Sequence, residues 1–406
     1  MKKNIIHFSI LILLTNCQTP KKVIFETYIN TKNKSIKEQT KQTFKIEDQS
    51  IYANNQFDGA RLNNFKKLND STAVAYISPE NTPINNSAYY AFSIWSDTPR
   101  TYYVSLKYPK AYSHRYKPKI KTNNKWSAID NINMSTQGNK AILKLELSNN
   151  PQIIAAQKIE STQDVRIWCK EIVKTNSSNI NYSIIGKTTL QRDIPVLFSN
   201  NSKLEQKDII ILLTRQHPPE TTGYYAFQYF IKKILAETKI SNKFLEKYQI
   251  IAFPLMNPDG VDLGHWRHNA NGVDLNRDWS KYNQPEIRSV VKFIEKQRRK
   301  SKSKILIGLD FHSTWYDIFY TTKERRQTLL PNFIDKWFKG IENKIGSYQI
   351  NEDAKNSKKP VSRGLFLNRF NATDITFEIG DDSNDEKIKE ISEAAAQEMM
   401  RILLIE

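Results

Sequence analysis

A chain of 406 residues, 39% hydrophobic and 25% charged, has material for two ordinary domains and is neither disordered nor fibrous. No interior stretch reaches the roughly eighteen unbroken apolar residues of a membrane helix. The net charge of +19 favours anionic partners, but scattered lysines carry the excess. No nucleic-acid-binding module is recognisable, so nucleic acid is not expected as a partner.

At the start, Lys2 and Lys3 precede an apolar run from Ile5 to Leu14, too short to span a membrane and patterned like a secretory signal. It ends in Leu14-Thr15-Asn16-Cys17, which resembles the lipobox of bacterial lipoproteins. The expectation is a signal peptide over 1–16, an acylated Cys17, and an exported protein anchored by its lipid to a bacterial membrane. Asn16 stands where a small residue is usual, so an ordinary signal peptide or a buried N-terminal strand stays open. With Cys17 lipidated, Cys169 has no partner and reads as a small buried apolar residue.

Residues 17–45 are rich in Lys, Thr and Asn and read as a tether. From 46 to 163, short aromatic and β-branched runs such as Thr72–Ser78, Ala88–Trp95, Thr101–Tyr108 and Asn139–Leu147 alternate with turn-formers, which predicts a β-sandwich. From 164 to 406 the rhythm changes. Ile209–Leu213, Gln249–Phe253, Ile305–Phe311 and Ile375–Ile379 suit strands buried on both faces. Between them, Ile287, Val290, Val291 and Ile294 recur at helical spacing, and Arg298-Arg299-Lys300 suits the end of that helix. The fold class is therefore α/β, a mostly parallel mixed sheet with helices on both faces, preceded by the sandwich.

The chain has six histidines. His217 follows one predicted strand in His217-Pro218-Pro219-Glu220, and His312 follows another, where open α/β sheets place their ligands. Two histidines and one glutamate, with a fourth position left open, make a catalytic rather than a structural zinc set. His-x-x-Glu alone is a weak motif. His265 and His268 would close the open position, so they read as packing residues.

Other segments give the motif company: Ile185–Thr188 and Arg192–Ile194 upstream; then Asn257-Pro258-Asp259-Gly260, Trp266-Arg267 and Gly272-Val273-Asp274-Leu275-Asn276-Arg277-Asp278-Trp279; then Ile375–Asp381. In this order the blocks resemble the zinc metallocarboxypeptidases of the carboxypeptidase A type. The preceding sandwich and the short interval from Glu220 to His312 look closer to the cytosolic carboxypeptidase branch and its bacterial relatives. The resemblance implies a zinc carboxypeptidase fold and one zinc per chain on His217, Glu220 and His312. It makes Glu378 the general base and Arg267 the oxyanion donor, with Asn276 and Arg277 receiving the substrate's terminal carboxylate. Asp274 would orient His217. Arg363, in the loop before the base, would reach the floor of the specificity pocket and favour acidic groups. Peptides or peptidoglycan peptides are the implied substrates, and a non-catalytic binder of carboxylate-ended chains is the competing reading. One departure stands out: well-studied members carry a tyrosine in the loop before the base, whereas Phe366 and Phe370 are the aromatics between Lys355 and Phe377 here.

Overall fold

The computed structural model describes residues 22–199, 206–356 and 358–405. The expected signal peptide and Cys17 lie outside them. Among the described residues, no helix is long and apolar enough to cross a membrane.

The first eleven strands are β1 (Thr43–Ile46), β2 (Ile51–Asn54), β3 (Asn64–Asn69), β4 (Thr72–Tyr76), β5 (Ala91–Ser96), β6 (Arg100–Lys107), β7 (Lys119–Thr122), β8 (Lys125–Ala128), β9 (Met134–Gln137), β10 (Lys140–Leu147) and β11 (Gln152–Ala155). They form two sheets, ordered β1-β2-β5-β11-β7-β8 and β3-β4-β6-β10-β9. Alternation along each strand buries one face. Ile51, Phe92, Ile94 and Ile154 of one sheet pack with Ala73, Val104, Leu106 and Leu143 of the other.

A capping box then opens α1 (Thr162–Thr175): Ser161 accepts from the Asp164 amide while the Asp164 carboxylate accepts from the Ser161 amide. The remaining elements are β12 (Ile180–Lys187), β13 (Asp193–Ser199), β14 (Asp208–Thr214), α2 (Thr221–Leu235), α3 (Lys239–Lys247), β15 (Tyr248–Phe253), α4 (Pro258–Asp262), α5 (Pro285–Ser301), β16 (Ile305–Thr314), β17 (Ile318–Thr322), α6 (Phe333–Ile345), β18 (Glu352–Lys355), α7 (Ser362–Phe370), β19 (Thr373–Gly380) and α8 (Asp385–Ile405). One sheet of eight strands runs β12-β13-β15-β14-β16-β19-β17-β18. Its centre, β15-β14-β16-β19, is parallel, and antiparallel pairs flank it. Ile210 and Leu212 of β14 face a core shared with α2, α6 and α8, while Ile209, Ile211 and Leu213 face one shared with α5 and α7. Cys169 is buried in the first of these.

The expected tether is corrected over its described part. Residues from Val23 on run without regular structure but are docked along the molecule. Val23 is buried beside Trp279 and Phe366, and its carbonyl accepts from Ser280 Oγ at 2.7 Å. The Thr31 hydroxyl donates to Asp278, and its carbonyl accepts from Gln284 Nε2 at 2.7 Å. Lys34 N donates to Asn271 O at 2.8 Å and Lys37 N to Glu80 O at 2.7 Å. Backbone and small-residue hydrogen bonds order this strap, and such contacts leave no hydrophobic periodicity to read.

Candidate metal centre and active site

β14 ends at Thr214, and the chain turns through a left-handed Arg215 (φ 58°) into His217-Pro218-Pro219-Glu220, which leads directly into α2. The start of α2 lies against the end of β16. A Cβ at Gly223 would meet the His312 carbonyl oxygen at 2.3 Å, so a glycine is needed for this approach. Ser313 Oγ accepts from the Gly223 amide at 2.9 Å and from Thr222 Oγ1 at 2.8 Å, fixing the two segments together.

That junction brings His217, Glu220 and His312 into one cluster whose ligand atoms all lie within 4.8 Å of one another. His217 Nδ1 is 2.8 Å from Glu220 Oε1, and His312 Nδ1 is 2.6 Å from Glu220 Oε2. The far nitrogen of each ring is tied to a carboxylate: His217 Nε2 to Asp274 Oδ1 at 3.1 Å, and His312 Nε2 to Asp310 Oδ2 at 3.0 Å. With both Nε2 protons assigned outward to these carboxylates, two Nδ1 lone pairs turn toward Glu220. Lone pairs facing lone pairs at this range require positive charge among them, and a divalent cation satisfies all three. Burial opposes charge on the His312 ring, but Asp310 and Glu220 override it and make the ring attract positive charge. Burial likewise pushes the Glu220 carboxyl up, and His217 and His312 pull it far below the usual carboxylate range. The donor set fits a catalytic zinc.

β19 pairs with β16 in parallel register with Glu378 opposite His312, so both side chains leave the same face of the sheet. Glu378 Oε2 is buried without a hydrogen-bond partner. Burial pushes its carboxyl up to about 8; Glu220 adds to this, while His312 and Arg267 work against it. A bound divalent cation would draw it back down.

Asp274 is the hub of the loop. Besides His217, its carboxylate accepts from Arg267 Nε at 2.7 Å and from the Asn276 amide at 2.9 Å, and Arg277 Nη1 stands 3.7 Å away. Asn276 turns inward: its Oδ1 accepts from Ser362 N at 2.9 Å, and its Nδ2 lies 3.5 Å from His312 Nε2. Arg277 is half-buried, with Nη1 on the Asn276 carbonyl at 2.7 Å. A cavity of about 350 Å³ adjoins these arginines and is lined also by Lys34 of the strap and Asn85 of the sandwich.

Arg363 makes its contacts elsewhere. Buried at the start of α7, it donates through Nη1 to the carbonyls of Thr321 and Lys355, and its Nε is 3.9 Å from Asp374. Both oxygens of the buried Asp374 lack hydrogen-bond partners. Tyr320 of β17 pairs with Thr376, placing it on the same face as Glu378.

Three residues of the cluster escape sequence reasoning. Asp310 orients His312 and also accepts from Gln216 Nε2 at 2.5 Å and from the Ser362 hydroxyl. Gln216 Oε1 in turn accepts from Trp279 Nε1 at 2.9 Å. A signal for Asp310 existed, since a residue two before a strand ligand shares its face. Gln216 and Ser362 had none. His265 and His268 stay out of the cluster, bonded through Nδ1 to the His268 carbonyl and to Glu80 respectively.

Two histidines and a glutamate able to hold a metal ion, at the carboxyl ends of parallel strands, are the donor set of a hydrolytic metalloenzyme class. Residues 165–399, more than half of the chain, match the family model of the zinc carboxypeptidases, peptidase family M14. The chain belongs to that family. It is 27% identical to mouse cytosolic carboxypeptidase 6 over 166 residues, covering 37% of this chain and 31% of that protein. To the human cytosolic carboxypeptidase 6 it is 25% identical over 166 residues, covering 37% and 33%. The matches thus span about a third of the length of these relatives. The fold is shared with a metallo-carboxypeptidase from Burkholderia cenocepacia: TM-score 0.71, 14% identity, 87% of this chain and 99% of that one. It is also shared with a Pseudomonas aeruginosa metallo-carboxypeptidase solved with (2-guanidinoethylmercapto)succinic acid: TM-score 0.69, 15% identity, 86% and 98% covered.

Proposed function

We propose that this protein is a zinc metallocarboxypeptidase, with one zinc per chain, that hydrolyses a peptide or amide bond next to a terminal carboxylate. The observation that carries this reading is the convergence of His217, Glu220 and His312 beside an unpartnered Glu378 Oε2. A module that only bound carboxylates would need neither the ligand set nor the base.

When bound, zinc supplies Lewis acidity, which polarises the scissile carbonyl and makes water acidic near neutral pH. Glu378 accepts the water proton at Oε2 and passes it to the leaving amine. Arg267, held through Nε by Asp274, turns its remaining N–H groups to the developing oxyanion. Arg277 and Asn276 receive the substrate carboxylate, and the bond that Asn276 Oδ1 accepts from Ser362 N assigns the larger share to Arg277. Asp274 and Asp310 each hold one histidine in the tautomer that leaves Nδ1 free to ligate.

The preferred substrates carry an acidic group just past the scissile bond, as glutamate chains or peptidoglycan peptides do. Burial lowers the Arg363 guanidinium pKa, a cost that a substrate carboxylate would offset, and Lys34 and Arg277 add positive charge to the cavity beside Arg267. Residues 2–17 support export and lipid anchoring through Cys17, which mass spectrometry of the N-terminal peptide tests directly.

The functional test incubates zinc-loaded protein with matched peptides ending in Glu, Leu and Lys, and with muropeptides. Release of the last residue, fastest for Glu and with that ranking lost in Arg363→Ala, is the expected result. Zinc-dependent cleavage with Leu or Lys preferred removes Arg363 from specificity, and zinc-loaded protein that cleaves nothing favours the binding module.

A further inference from the structure

The oxyanion residue sits on a loop that the catalytic sheet does not hold by itself. Residues 265–268 are docked on the sandwich: Trp266 is fully buried within its core, edge-on to Tyr112 with ring centroids 5.3 Å apart. Glu80, in the connection between β4 and β5, meets the same loop and is itself fully buried. Its Oε2 accepts from the Trp266 amide at 2.7 Å. Its Oε1 accepts from the amides of Arg267 at 3.1 Å and His268 at 2.8 Å, and from His268 Nδ1 at 2.8 Å.

Three successive backbone N–H groups and an imidazole therefore converge on one carboxylate from the other domain. Convergent amides of this kind prefer an anion, and bonds to an ionised acceptor are about twice as strong as neutral ones. Burial pushes the Glu80 carboxyl up, but His265, His268 and Arg61 hold it well below the usual range, so the anion is present. Glu80 is anchored from behind as well. Its carbonyl accepts from Lys37 N at 2.7 Å, and neighbouring Asn81 Nδ2 donates to Gly272 O at 3.0 Å. With the Arg267 backbone gripped on both sides by Glu80 and its Nε held by Asp274, few torsions are left to place the guanidinium.

We infer that Glu80 is a positioning residue: the sandwich domain, through this buried carboxylate, sets Arg267 for the oxyanion and completes the site across the domain boundary. The inference rests on the carboxypeptidase reading. Glu80→Gln keeps the size but aims an N–H₂ group at backbone donors, leaving a buried donor unpaired and the loop free to shift. A shift of about 1 Å at a catalytic group costs roughly a hundredfold in rate.

The experiment is a double-mutant cycle of Glu80→Gln with Arg267→Ala, read by kcat, KM, zinc content and calorimetric affinity for a phosphinate dipeptide. That probe is a tetrahedral anion that meets Arg267 without turnover. Glu80→Gln is expected to lower kcat by about 10- to 100-fold with KM within about 3-fold and zinc unchanged. In the Arg267→Ala background the same change should cost less than about 3-fold, because the group it positions is gone. Glu80→Asp, which keeps the charge and loses reach, should fall between, and it replaces Glu80→Gln in the cycle if the latter does not fold. Losses that multiply in full, in rate and in phosphinate affinity, would show a general structural role and overturn the inference. A wild type that hydrolyses nothing but shows coupled phosphinate affinities breaks the enzyme reading and keeps the positioning role.

Discussion

The sandwich and the catalytic sheet build their cores by opposite patterns, and the difference decides where each can do chemistry. In β10, buried and open positions alternate, whereas β15 is buried at every position. A sheet buried on both faces admits polar groups at its strand ends or where hydrogen-bonding partners reach them. His217, His312 and Glu378 take the ends of β14, β16 and β19, and Asp310 stands further in with three hydrogen-bonding partners. The sandwich carries none of the ligands, yet its connections send Glu80 and Arg115 into the catalytic half. Arg115 Nε is 2.8 Å from Asp381 Oδ2, with both side chains 5% exposed, and its guanidinium lies 5.2 Å over the Trp315 ring. The candidate metal ligands belong to one region, and buried charged groups of the other meet it at the seam.

If the catalytic half alone holds the metal, His312→Ala should lose most of the zinc and reduce activity by about a thousandfold or more, whereas His265→Ala and His268→Ala keep the metal. Full zinc content in His312→Ala, measured by atomic emission, would break the assignment. Next in size, Glu378→Gln should keep zinc and substrate affinity while turnover falls by about a thousandfold. A near wild-type rate would leave the proton without an acceptor at this position.

The seam is probed by Arg115→Ala. Removing one partner leaves Asp381 buried and should destabilise the protein by about 3 kcal/mol in denaturant titrations. The size depends on pH. Burial, only partly countered by Arg115, pushes the Asp381 carboxyl up to about 7, above its unfolded value, so the folded state binds the extra proton and stability falls as pH rises from about 4 to 7. Without Arg115 that loss continues to higher pH. The variant should therefore lag the wild type more at pH 8 than at pH 6, and an equal gap at both would remove Asp381 from the balance. The smallest effect sharpens the metal side: Asp310→Asn should weaken zinc binding by about 10- to 100-fold in chelator competition, because His312 loses its orienting acceptor.

Much of this was legible in the order of residues. Apolar runs at strand length located β14, β15, β16 and β19, since a strand buried on both faces has to be continuously apolar. The blocks around His217, Asp274, Arg267 and Glu378 pointed to the groups that the structure gathers around Glu220. The strap over 22–42 was misread as a tether because its order comes from main-chain bonds to distant loops. Distance from Glu378 along the chain does not record the contacts of Arg363, whose Nη1 donates to the Thr321 and Lys355 carbonyls.

By itself, the sequence determined the two core patterns, the α/β class and the identity of the metal-ligating residue types, because burial periodicity and ligand chemistry are local properties. Tertiary structure alone decided that Asp381 faces Arg115 and that Glu80 grips the Arg267 loop from 187 positions away. A buried carboxylate finds its partners through the packing of whole elements, and no local spacing records which donors that packing will bring.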